Sequence, residues 1–192
     1  MNGILEKLFN RLKGAKKIVF MGIGEEKLTD DGVGPYIITE LLEYSNESLL
    51  FINANIDPMA RIDQIIEFNP SHLVIIDTCT LNSTPGTIAI LERENICNYV
   101  PISTHTIPLH IVIDLIVQKI PSLSVCMIGI VPESLEGFTE LTLYKDNKFT
   151  IDDKNENEDL PFFNFQLTDT IQQVADEIIL IIKELIQKLW SS

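Results

Sequence analysis

Two aspartates, Asp30 and Asp31, stand side by side in VFMGIGEEKLTDDGVG (residues 19–34), just after an apolar run. Like charges at the exit of a buried strand repel unless something takes up the charge. A helix N-terminus does so when the acid caps it, and a cation does so by ligation. Asp77 closes a second apolar run, HLVIIDT (72–78), and His105 lies in STHTIPLH (103–110), directly before a helical pattern. Two carboxylates and an imidazole, with positions left for water or a substrate atom, make a mixed oxygen–nitrogen site for a divalent transition metal. Asp31, Asp77 and His105 are therefore the candidate metal-binding and catalytic residues. Each alone has a plainer reading: an N-cap, a turn-starter at a strand end, and a satisfied loop histidine.

Other chemistries fit less well. Gly22, Gly24, Gly32 and Gly34 lack the GxGxxG spacing, and Glu25, Glu26, Asp30 and Asp31 would repel phosphates from such a cradle. Cys79, two residues beyond Asp77, could pair with His105 as a nucleophile. Nothing in the sequence marks an activated thiolate there, and a strand-end cysteine is usually inert core. Cys79, Cys97 and Cys126 are odd in number and form no CxxC, which argues against a disulfide frame or a thiolate zinc site and for a reducing cytoplasm. His72 and His110 receive no role, the first beginning a strand and the second sitting on a helix face.

The elements that must position these groups alternate. Short apolar runs predict strands over 17–23, 49–54, 72–78 and 123–130, with an edge strand over 87–92 after the turn signal NSTPG. Helical spacing predicts helices over 2–13, 35–44, 59–68, 108–120 and 167–190. This is an α/β pattern: a mostly parallel sheet with helices on both faces, a three-layer sandwich, plus an N-terminal helix and a C-terminal helical tail. In such sheets chemistry gathers at the carboxyl ends of the strands, where Asp31 and Asp77 fall. LTLYKDNKFTID (141–152) predicts a hairpin about Asp146-Asn147, and DDKNENEDLP (152–161) an acidic, mobile segment. The expected division of a single domain is 1–16 (amphipathic helix), 17–144 (core), 145–164 (hairpin end and linker) and 165–192 (helix on the core).

Composition narrows the partners. A net charge of −14 on 192 residues opposes nucleic-acid binding. No uncharged run reaches bilayer length, and no secretory signal begins the chain. Residues 1–17 carry Lys7, Arg11, Lys13, Lys16 and Lys17 against Glu6. A docked amphipathic helix suits that segment better than a lipid-binding one. A cytoplasmic monomer is the expectation.

The ordered motifs GIG…DDGVGP, VIIDT…PGTI, STHTIPLH and MIGIVPE, spanning about residues 17–142, resemble those of the hydrogenase maturation endopeptidases. The likeness is nearest to the branch serving hydrogenases of formate-linked and energy-converting complexes. THTIPLHIVID and NPSHLVIIDTCTLNSTPG are its most specific pieces. The resemblance implies an α/β sandwich without a catalytic serine, catalytic cysteine or resident zinc. It also implies removal of the C-terminal extension from a nickel-iron hydrogenase large-subunit precursor once nickel is installed. Residue by residue, the family's metal-contacting acids fall on Asp31 and Asp77 and its histidine on His105, so the nickel would be carried by the substrate. Asp30 would then cap the following helix or support the loop. Three departures lie near the substrate path. Glu25 replaces the usual asparagine, Asn53 to Asn55 replace an acid–glycine–glycine stretch, and Val131 replaces a glutamine.

Two rival readings remain at this level. A non-catalytic nickel-checking paralogue would account for the departures. A receiver-like phosphoacceptor domain also has paired acids after its first strand and an aspartate after its third, but GIVPE (129–133) offers no lysine for a phosphoryl group.

Overall fold

The computed structural model describes residues 2–99, 107–135 and 166–190. The predicted hairpin at 141–152, the acidic segment at 152–161 and His105 lie outside the described residues. The sheet consists of β1 (Ile18–Ile23), β2 (Leu49–Asn55), β3 (His72–Thr78), β4 (Ile88–Glu92) and β5 (Ser124–Ile130). Its strand order is β2-β1-β3-β5-β4, with every pairing parallel except the antiparallel edge pair β4–β5. Around it stand α1 (Asn2–Leu12), α2 (Val33–Thr39), α3 (Ile62–Phe68), α4 (Arg93–Tyr99), α5 (Leu109–Lys119) and α6 (Asp169–Trp190).

Strands apolar in nearly every position need cover on both faces, because successive side chains point to opposite sides. Ile18 and Phe20 of β1, Val74 and Ile76 of β3, and Cys126 and Ile128 of β5 enter one core. It is closed by Leu5, Leu8 and Leu12 of α1, Ile37 and Ile38 of α2, and Ile171, Ile178 and Ile182 of α6. Val19 and Met21, Leu73 and Ile75, and Val125 and Met127 enter the other core, under Ile65 of α3, Ile96 of α4 and Val112, Ile113 and Ile116 of α5. The expected three-layer sandwich is the observed one. A doubly wound receiver fold has the order 2-1-3-4-5. The different order and the antiparallel β4 overturn that rival.

Some boundaries differ from expectation, with local causes. The helix expected over 35–44 stops at Thr39, whose hydroxyl donates to the Pro35 carbonyl (2.8 Å) and so weakens the turn. Leu42–Tyr44 continue only as a 3₁₀ turn. The helix expected over 59–68 opens as a 3₁₀ turn, Pro58–Arg61, held by the Asp57 carboxylate on the Ala60 N–H (3.2 Å). It ends at Asn69 in the left-handed conformation. Helix α4 has no predicted counterpart.

The N-terminal helix is docked, as its amphipathic pattern suggested. Arg11 donates to the Val125 carbonyl (2.9 Å) and pairs with Glu92, which pins α1 to the sheet. Among the described residues no helix is long and apolar enough to cross a membrane.

From β1 the chain leaves through α2 to β2, on one side. From β3 it leaves toward β4, on the other. Adjacent strands whose connections diverge leave a crevice at their carboxyl ends, the usual ligand position in open α/β sheets. Asp31 follows β1, and Asp77 lies at the carboxyl end of β3.

Candidate active site

Asp31 sits in a 3₁₀ turn, Thr29–Gly32, just before α2. The turn folds back onto the end of β1 so closely that a Cβ on Gly24 (φ +142°) would lie 1.8 Å from the Asp31 carbonyl oxygen. Only glycine fits there. Thr29, a β-branched residue at φ +48°, holds a strained left-handed backbone one turn position before the acid pair. The Asp31 side chain is buried. One carboxylate oxygen, Oδ2, accepts the Glu25 N–H (2.8 Å), and Oδ1 accepts the Thr78 hydroxyl (3.0 Å). The N-cap of helix α2 is Gly32, with no side-chain cap, so Asp31 is not its N-cap.

Asp77 is the penultimate residue of β3 and pairs with Gly129 on β5. It too is buried, and its Oδ1 accepts the Thr78 N–H (2.7 Å). Thr78 thus touches both acids, one through its side chain and one through its main chain. Sequence reasoning passed over Thr78. The signal available was a hydroxyl residue directly after a strand-end acid.

Asp30 turns the other way. It is fully buried, and Oδ2 accepts the Glu133 N–H (2.9 Å), the Ser134 N–H (2.8 Å) and the Thr168 hydroxyl (3.1 Å). Oδ1 accepts the Thr168 N–H (2.7 Å). Asp30 therefore does not cap the helix that follows it. It supports the loop after β5 and clasps the start of α6. Thr168 caps that helix, its hydroxyl oxygen accepting the Ile171 N–H (3.4 Å). No sequence signal linked positions 30 and 168.

Among the described residues, no three His, Cys, Asp or Glu side chains gather as a metal-holding group. Asp31 and Asp77 are brought to one crevice, and the third proposed group, His105, falls outside the described residues. Cys79 is buried, and burial, aided by the Asp77 charge, pushes its thiol up to about 11. It stays protonated at neutral pH, which removes the cysteine-nucleophile reading. His72 begins β3 and contacts Ser71 (3.0 Å), while His110 lies exposed on α5.

The three departures leave this geometry intact. Glu25 makes its contact with Asp31 through the main chain, and its own carboxylate accepts the Lys27 N–H (3.1 Å). Asn55 adopts φ +46°, a conformation glycine takes freely and asparagine tolerates, so it replaces a glycine without breaking β2. Val131 packs into the core beneath α5. Two clefts open beside Glu26. One of about 450 Å³ is lined by Glu25, Lys27, Asn55 and Ile56; the other, of about 470 Å³, lies between Tyr36 and Gln172.

Comparison with known proteins bears on the family and the fold. Residues 35–153 match the family HycI, hydrogenase maturation protease. The chain is 34% identical over 139 residues to the "Putative hydrogenase maturation protease MJ0631" of Methanocaldococcus jannaschii, covering 68% of this chain and 81% of that protein. It is 27% identical over 124 residues to the hydrogenase 3 maturation protease of Escherichia coli, covering 65% of this chain and 78% of that one. Among solved structures, the [NiFe] hydrogenase maturation protease HycI from Thermococcus kodakarensis KOD1 shares the fold. The TM-score is 0.73 at 22% identity, over 94% of this chain and 99% of that one. The fold likeness therefore reaches beyond the motif-bearing residues 17–142. By the extent of the family match and the identity to its relatives, this chain belongs to the hydrogenase maturation protease family.

Proposed function

We propose that this protein is an endopeptidase that removes the C-terminal extension of a nickel-loaded nickel-iron hydrogenase large-subunit precursor. Asp31, Asp77 and His105 recognise the nickel carried by that substrate. The observation that supports it most is that Asp31 and Asp77, far apart in sequence, both hydrogen-bond to Thr78 at the carboxyl ends of the adjacent strands β1 and β3. Two buried carboxylates there provide hard oxygen donors, and an imidazole would complete a set suited to a divalent transition metal.

The ion arrives as cargo of the precursor, so the protein reads whether the metal has been installed. A divalent ion polarises a neighbouring carbonyl or lowers the pKa of bound water toward ~7. A carboxylate of the pair can alternatively take the proton from the attacking water. In both routes Asp31 and Asp77 fix the scissile region against the crevice.

The test mixes the protein with nickel-loaded and metal-free precursor and weighs the products. Shortening of the nickel-loaded form alone is expected. Asp31→Ala should slow it by at least ~100-fold, the scale on which loss of a positioned acid or base acts. Undiminished trimming by that variant would overturn the assignment. Tight binding by the native protein without cleavage would instead identify the nickel-checking paralogue that the Glu25 and Asn53–Asn55 departures suggested.

A further inference from the structure

We propose that Thr78 is a positioning residue that sets the two acids of the site against each other, an inference that rests on the nickel-reading function above. Thr78 is 2% exposed and ends β3, where it pairs with Ile130 of β5. Its N–H donates to Asp77 Oδ1 (2.7 Å), and its hydroxyl donates to Asp31 Oδ1 (3.0 Å). The two acids come from separate segments, a strand end and a 3₁₀ turn, and nothing in the covalent chain fixes one relative to the other. Thr78 supplies that reference from the rigid element.

The local chemistry favours this role. A β-branched side chain in a strand has few χ1 choices, so the hydroxyl direction follows the backbone. With the Glu25 N–H on Oδ2 and the Thr78 hydroxyl on Oδ1, each Asp31 oxygen has a donor, which fixes the plane of the carboxylate. A neutral donor orients a ligand without bringing a positive charge that would compete with the metal. Partners of this kind around a ligating group typically govern 10–100-fold in affinity or activity.

Thr78→Val tests it, because valine keeps the shape and the main-chain N–H and deletes only the hydroxyl. The expected result is a ~10–100-fold fall in kcat/KM on nickel-loaded precursor. Binding of metal-free precursor should stay close to that of the native protein, while the melting temperature falls modestly because one buried hydrogen bond to the Asp31 carboxylate is lost. Thr78→Ser, which restores the hydroxyl, should recover most of the rate. If valine does not fold, Thr78→Ser against Thr78→Ala makes the same comparison with small side chains. A wild-type rate for Thr78→Val, or a serine variant no faster than alanine, overturns the inference. Asp31→Ala run in parallel separates the two ideas. If it still trims, the nickel-reading function fails; if it is dead while Thr78→Val is unimpaired, only the role of Thr78 fails.

Discussion

Asp30 and Asp31 are adjacent and both buried, yet their carboxylates serve different ends. A 3₁₀ turn rotates successive side chains by about a third of a circle, so neighbours face different walls. Asp31 meets Glu25 and Thr78 at the crevice, whereas Asp30 gathers donors from Glu133, Ser134 and Thr168. Deleting the Asp30 carboxylate takes the charged acceptor from those part-buried donors, and hydrogen bonds to a charged group contribute about 1.5–3 kcal/mol each. Asp30→Ala is therefore expected to lower stability by about 3–5 kcal/mol. Hydrogen exchange at the Glu133, Ser134 and Thr168 amides should quicken, and a denaturation curve with an exchange map checks both. In Asp31→Ala the same three amides should keep their protection. That contrast could not be read from DDG alone. The sequence showed that two acids stood at a strand exit. Which acid turned to the crevice depended on partners 47 and 138 positions away, Thr78 for Asp31 and Thr168 for Asp30.

At the scale of elements, what places Asp31 is the closeness of α2 to the strands beneath it. Gly34 makes this possible: a Cβ there would lie 2.4 Å from the carbonyl oxygens of both Ile23 and Ile76. Those residues belong to β1 and β3, the two strands that flank the crevice. Gly34→Ala must lift the start of α2 off both strands, and overpacking of this kind costs about 1–3 kcal/mol and sometimes more. The expected outcome is a fall of about 2–4 kcal/mol in unfolding free energy, with slower trimming because the Asp31 turn moves with the helix. Chemical denaturation and the precursor assay together check it. The strands were legible because β1, β3 and β5 are apolar at nearly every position and bounded by turn residues, so period and length agreed. Helix α4 was not, since its seven residues place only Ile96 in the core among those described and give no helical period to detect. The end of α2 was misread because Thr39 is an ordinary helix residue until its hydroxyl captures Pro35. Contacts of this sort are decided by geometry after the helix has formed, and composition does not announce them.

Seen as a whole, the molecule is a sheet with a separate apolar core on each face, and among the described residues each core holds one buried thiol. Cys126 lies in the core under α1, α2 and α6, and Cys79 in the core under α3 to α5. Burial is the main reason both thiols are pushed up from an ordinary 9.0 to about 11; for Cys126 it outweighs the opposing pull of Arg11. The sign of the resulting pH dependence follows from proton counts. Between about pH 9 and 11 the unfolded chain has released these protons while the folded protein still holds them, so rising pH favours unfolding. Their contribution is fully present below pH 9 and is lost as pH climbs through that window, at up to about 1.4 kcal/mol per pH unit for each thiol. Replacing both, Cys79→Ala with Cys126→Ala, should lower stability at neutral pH through the small cavities left, yet flatten the alkaline decline. Urea unfolding at a series of pH values from 7 to 11 measures it, and parallel curves for the two proteins would show that the thiols are not held neutral by the two cores.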